Sequence, residues 1–193
     1  MLRHPLTTLD AVLLRWLFGL TTIASIVLMV VLHWIGEPLK TPPIYLPWGL
    51  NDGILALQFA RDPATAQEII DCWHGGLLFR VGFGIGIDFL FIATYVLAIS
   101  CGCIWAASIF RMRFDRLSVI AELIAWAILL AGILDVIKNL ALLRQLLAGA
   151  ASPWSEVAFW CAAIKFILVS LGPIYLLVAA TYVGAVQFKQ LKG

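Results

Sequence analysis

The chain has 193 residues, of which 63% are hydrophobic and only 12% charged, with a mean hydropathy of +1.00. A soluble domain carries roughly 25% charged and 45–50% apolar residues, so this chain has too few polar side chains to cover a globule in water. Its net charge of +2, from 13 basic and 11 acidic residues, is too balanced to indicate nucleic acid or another polyanion as partner. The composition is that of an integral membrane protein.

A hydrocarbon core about 30 Å thick needs about 20 apolar residues in a helix. Three charge-free windows meet this: Trp16 to Gly36, Phe89 to Phe110 and Phe166 to Phe188. A further apolar run, Leu117 to Leu143, contains Glu122, Asp135 and Lys138. The unbroken runs far exceed the 9–11 alternating residues of a barrel strand. The predicted fold is therefore all-α: a polytopic four-transmembrane-helix bundle in a single membrane domain, 1–193, with spans at about 13–35, 81–107, 117–143 and 157–186. The first span follows Arg3 as a signal peptide would, but its apolar run is too long and no small-x-small cleavage site precedes Glu37, so a retained anchor is expected.

The connection 36–80 begins with GEPLKTPPIYLPWGLNDG, where four prolines preclude a regular helix. A helical segment, ILALQFA, follows. Asp62 and Pro63 then take N-cap and first-turn positions ahead of ATAQEIIDCW, which ends at Gly75-Gly76. Ala66, Ile69, Ile70 and Trp73 share a face of this amphipathic helix, which either roofs the bundle at the outer interface or belongs to an ordinary aromatic-rich interfacial loop.

In the second span the glycines of VGFGIGID do not follow a strand, so they are not a phosphate or dinucleotide loop. Cys101, Cys103 and Cys161 lie in or near spans and Cys72 outside them; without C-x-x-C spacing they read as free thiols.

Basic residues near the span ends set orientation. Arg3, Arg15, Arg111, Arg113, Arg116, Lys189 and Lys192 fall on one side, and Lys40, Arg61, Arg80 and Arg144 on the other. A multi-pass protein of the inner (plasma) membrane is expected, with both termini cytoplasmic and the 36–80 loop extracytoplasmic.

Ionisable residues inside spans are costly, about 2.5–3.5 kcal/mol each at a helix centre on insertion scales, and mark functional candidates. Asp88 is eight residues past Arg80, Asp135 nine before Arg144 and Lys165 nine past Glu156. Each therefore lies about 12–14 Å inside the outer end of its helix. Asn139 sits one turn from Asp135 on the same face. Small neighbours, Gly84, Ala131, Gly132, Ala162 and Gly172, suit a face packed against other helices, Gly82 and Gly86 form a G-x-x-x-G pair, and Pro173 is expected to kink the fourth span. Asp88, Asp135, Asn139 and Lys165 are thus expected to line a shared pocket below the outer loop. Tyr95, His33, His74 and Lys138 are secondary candidates, Lys138 because it can reach outward to the headgroups. Glu122 lies near the cytoplasmic end and is explained by snorkelling or pairing with Arg116.

Three function classes remain open. The leading one is binding of a membrane lipid or small amphiphile in an outward-facing polar pocket, serving transport, proton relay or sensing, with a homodimer or larger membrane complex as an available assembly. The second is a non-catalytic scaffold or accessory subunit whose buried ion pair is structural. The third, an intramembrane enzyme, has little in its favour. No H-E-x-x-H or similar spacing proposes a metal site, no cofactor is called for, and Ser100, Ser155 and Ser170 stand at the wrong depths to pair with Lys165.

The segments LQFARDPATAQEIIDCW, GIDFLFIATYVLAIS, ILDVIKNLALL and AAIKFILV resemble uncharacterised small bacterial four-span membrane proteins over about residues 54–169. That resemblance implies the four-helix fold and no activity.

Overall fold

A computed structural model of the protein describes residues 4–40, 53–110 and 115–191. The helices in chain order are α1 (Ala11–Gly36), α2 (Gly53–Phe59), α3 (Pro63–Asp71), α4 (Gly76–Phe110), α5 (Asp115–Ala148) and α6 (Trp154–Leu191), with single 3-10 turns at Pro5–Thr8 and Glu37–Leu39. α1, α4, α5 and α6 are each long and apolar enough to cross a membrane, and no strand occurs among the described residues. The expected all-α polytopic architecture is the observed one. The stretch with Pro42, Pro43 and Pro47 and the basic turn with Arg111 and Arg113 fall outside the described residues.

The helices outrun the apolar windows because hydropathy marks the hydrocarbon layer, whereas backbone hydrogen bonding continues until something ends it. Asp10 caps α1, its Oδ1 accepting from the Leu13 N–H at 2.8 Å, and Asp62 caps α3 through Thr65 N–H at 3.0 Å with Pro63 in the first turn. Gly75, at φ 57°, separates α3 from α4, which starts five residues earlier than expected and carries Arg80 exposed on its first turns. α5 continues past Leu143 to Ala148, where Gly149 at φ 81° stops it. α6 runs unbroken through Pro173, whose missing N–H leaves the Val169 carbonyl without its helical donor.

α5 is the centre of the bundle, packed along α4 on one side and α6 on the other. Its buried stripe, Ala121, Ala125, Ile128, Gly132, Asp135, Asn139 and Leu142, recurs every three or four residues, and its small members let neighbouring backbones approach closely. A Cβ on Gly132 would lie 2.7 Å from Val96 of α4, and one on Gly172 of α6 would collide with Ile99. By contrast, Gly82 and Gly86 have nothing within 4 Å of an added Cβ, so the G-x-x-x-G pair does not serve packing among the described residues. α1 packs chiefly along α4 and buries only Leu14, leaving Trp16, Leu20, Ile23, Val27 and Val30 on a surface suited to acyl chains. The bundle is thus a three-helix core with a peripheral first helix.

At one end, α2 and α3 form a packed roof. Leu39, Leu57, Ala66, Ile69, Ile70 and Trp73 are buried with Val81 and Ile85 of α4, Leu142 of α5 and Ala158 of α6. Trp73 Nε1 donates to the Leu39 carbonyl at 3.3 Å, and the Ala150 N–H donates to Gln67 Oε1 at 2.8 Å, tying α3 to the α5–α6 connection. The two alternatives for this helix therefore resolve as the roof.

At the other end the chain tucks in its N-terminal turn. His4 is buried, its Nδ1 accepts from Leu6 N–H at 3.3 Å, and its ring stands edge-on to Trp126 at 5.0 Å. Burial holds its pKa below the ordinary 6.5, with Glu122 pulling the other way.

Gly172→Val should destabilise the bundle by about 1–3 kcal/mol through overpacking, whereas Gly86→Ala should be neutral or slightly stabilising; unfolding in mixed micelles checks both, and equal effects would refute the packing assignment. The His4 turn docks on a neutral imidazole. Its stabilisation should therefore be complete above pH 6.5 and decline as pH falls from there through the lowered native value. Intrinsic-rate-corrected hydrogen exchange of Leu6 and Thr7 should quicken on acidification, and His4→Phe should abolish that dependence.

Candidate functional site

The stripe that lets α4, α5 and α6 approach also carries Asp135, so its carboxylate is delivered into the helix contacts, where it needs protein partners. Asp135 Oδ1 receives Lys165 Nζ from α6 at 2.5 Å and Lys138 Nζ from α5 at 2.7 Å. Its Oδ2 accepts the Tyr95 hydroxyl from α4 at 3.1 Å. Lys138 Nζ also reaches Asp88 Oδ2 at 3.1 Å, and that oxygen accepts Asn139 Nδ2 at 3.0 Å. The result is a continuous network across three helices, with two carboxylates matched by two ammonium groups. Buried ions survive where opposite charges and hydrogen bonds replace water, and every charge in the network has such a partner.

Asp88, Asp135, Asn139 and Lys165 therefore come together, with Tyr95 attached. Lys138 requires a correction. Rather than reaching outward to headgroups it is buried, because three residues from Asp135 places it on the same helix face and two carboxylates hold it there. His74 also departs from expectation: it is exposed in the α3–α4 connection and takes no part. His33 lies on the wall of the adjacent cavity. Glu122 stands apart from the network, beside the His4 turn.

That cavity has a volume of about 410 Å³ and is bounded by α1, α2, α4, α5 and α6. Asp88, Lys138, Asn139 and Lys165 form its polar wall; Leu32, Ile54, Leu55, Ile85 and Phe91 make most of the remainder apolar. Asp135 is not on the wall. Its oxygens are fully engaged behind the two lysines, so it supports the surface rather than forming it. Met29 of α1 and Phe166 of α6, 54% and 44% exposed, mark a rim that opens toward the lipid-facing surface among the described residues.

The polar wall keeps unused hydrogen-bonding capacity. Asn139 is 1% exposed, yet its Oδ1 has no partner among the described residues. Exchanging the amide's O and N would point oxygen at Asp88, so the orientation is fixed by the network. Gln58 of α2, 2% exposed, lines the cavity and forms no side-chain hydrogen bond among the described residues. Lys165 Nζ is held by Asp135 and lies 4.9 Å from the Phe166 ring centre, leaving N–H donors to spare. Gln58 was missed from sequence because ILALQFA reads as an apolar run; its single polar residue was the available signal.

No serine faces Lys165 across the cavity: Ser155 donates to Gln145 Oε1 at 3.0 Å, Ser170 is exposed and bonds its own helix, and Ser100 does not line the wall. Among the described residues, no three His, Cys, Asp or Glu side chains are placed to hold a metal ion. Comparison with protein families, curated proteins and solved structures finds no match to the chain. The geometry alone therefore carries the functional reading.

Asp135→Leu strands Lys165, Lys138 keeping Asp88, and should cost about 3–5 kcal/mol. Adding Lys165→Met to it leaves Lys138 paired with Asp88 and should recover much of that loss, while Tyr95→Phe alone should cost about 1.5–3 kcal/mol. Unfolding of the single and double variants in mixed micelles measures these; additive losses in the double variant would disprove the shared ion network.

Proposed function

We propose that this integral membrane protein binds a small amphiphile, its polar head against Asp88, Asn139, Lys165 and Gln58 and its apolar tail leaving between α1 and α6. The observation that carries the reading is a buried Asn139 Oδ1 without a partner among the described residues, together with the Gln58 amide on the lining of a largely apolar cavity open at Met29 and Phe166. An unfilled acceptor in a buried wall costs about 1–3 kcal/mol, and a ligand that satisfies it recovers that free energy. The volume lies within the 300–1,000 Å³ usual for ligand sites. The excess of basic residues near the opposite ends of the spans assigns the cavity to the extracytoplasmic half of the bilayer. Capture there serves sensing or transfer of the amphiphile.

A scaffold role is the second reading, favoured by the full engagement of Asp135 within the protein. The two readings assign different parts of the network: Asp135 holds helices together, and the wall in front of it meets the ligand.

Native mass spectrometry separates them. Wild type released from gentle detergent should retain a co-purified lipid, Leu55→Trp should lose it by filling the cavity, and Leu78→Trp, on an exposed face, should keep it. Equal retention in all three, or none in any, would favour the scaffold.

A further inference from the structure

Resting on the amphiphile reading, we infer that the ligand's head is an uncharged hydroxyl, so that the protein's ligand is a lipid alcohol rather than a phosphate- or amine-headed lipid. The first argument is charge. Asp88 and Asp135 are matched by Lys138 and Lys165, so the network as a whole has no net charge, and both lysines on the wall are already neutralised by carboxylates of the protein rather than free to compensate an ion taken out of water. The second is the hydrogen-bond inventory. Asn139 Oδ1 needs a donor, Lys165 retains N–H groups that need an acceptor, and Gln58 offers both kinds of atom. A hydroxyl gives one hydrogen and accepts others, which meets these demands at once. A fully ionised phosphate brings only acceptors: it leaves Asn139 Oδ1 empty and is itself repelled by the Asp88 carboxylate. An ammonium brings only donors and meets two lysines.

Depth and size agree. Asp88 is twelve residues past Gly76 and Lys165 eleven past Trp154, so each stands about 16–18 Å inside the end of its helix, deeper than the phosphate zone that flanks the hydrocarbon core. An alcohol reaches that level at far lower desolvation cost than an ion. Most of the lining is apolar, Leu32, Ile54, Leu55 and Phe91 among it, which leaves little polar surface for a large head.

The test keeps one chain and varies the head. Full-length protein in detergent micelles is equilibrated with tritiated 1-hexadecanol and competed with unlabelled 1-hexadecanol, hexadecyl phosphate, hexadecylammonium or hexadecylphosphoethanolamine. Displacement by hexadecanol alone is expected, with binding lost in Leu55→Trp and weakened about three- to tenfold in Asn139→Leu. Gln58→Leu provides a second reading should the Asn139 variant lose its fold by circular dichroism. Equal or better displacement by a charged-head competitor would overturn the hydroxyl assignment while leaving the amphiphile site standing. Absence of binding by every probe, with wild type no different from Leu55→Trp, would overturn the amphiphile reading as well. Dioleoylglycerol and undecaprenol as further competitors assign the source: displacement by the first supports an acylglycerol, by the second an isoprenoid alcohol, and by neither a single-chain alcohol.

Discussion

One carboxylate determines how the rest of this bundle is arranged. Asp135 is almost fully buried on the central helix and takes a lysine from its own helix, a lysine from α6 and a hydroxyl from α4. Each neighbour is bound to it by charge as well as packing, so α4 and α6 are fixed in register on α5 by groups that cannot slide a turn without exposing an ion to hydrocarbon. Apolar packing between helices in lipid lacks a hydrophobic driving force. The ion network supplies specificity that a stripe of alanines and glycines alone does not.

The network also explains why a polar surface can exist beside the cavity. Lys138 bridges Asp135 to Asp88, and Asp88 in turn orients the Asn139 amide. The Asn139 amide is therefore oriented by its own nitrogen's bond to Asp88 rather than by contact with a ligand. Preorganised polar atoms of this kind keep their direction when the site is empty, which reduces the ordering cost of binding.

Class, span count and the common depth of Asp88, Asp135 and Lys165 were legible in sequence because each follows from rise per residue and the scarcity of charge. Caps were legible at Asp62 for the same local reason. Lys138 was misjudged because a lysine near a span end can snorkel outward, and only the presence of Asp88 on a different helix decides against it. The peripheral place of α1 was not legible either: its apolar run matches the others in hydropathy, since lipid and protein neighbours select the same residues. Gln58 and the cavity itself depend on how α2 folds back under the roof, a tertiary fact without local periodicity.

α1 is built into buried clusters near its two extremities and lies along α4 between them. Leu14 packs at one end with residues of α4 and α5, while Leu39, just beyond the other end, is built into the roof and held by Trp73. Its last turns, from Met29 to Gly36, form one wall of the cavity, and the helix otherwise rests on α4 and faces acyl chains. Mechanically it is a rod clamped at both ends. A change in the width of the mouth is resisted by the bending stiffness of one helix, by its packing on α4 and by lipid, not by the charged core, so the membrane's own lateral pressure becomes a variable in how readily the cavity admits a guest.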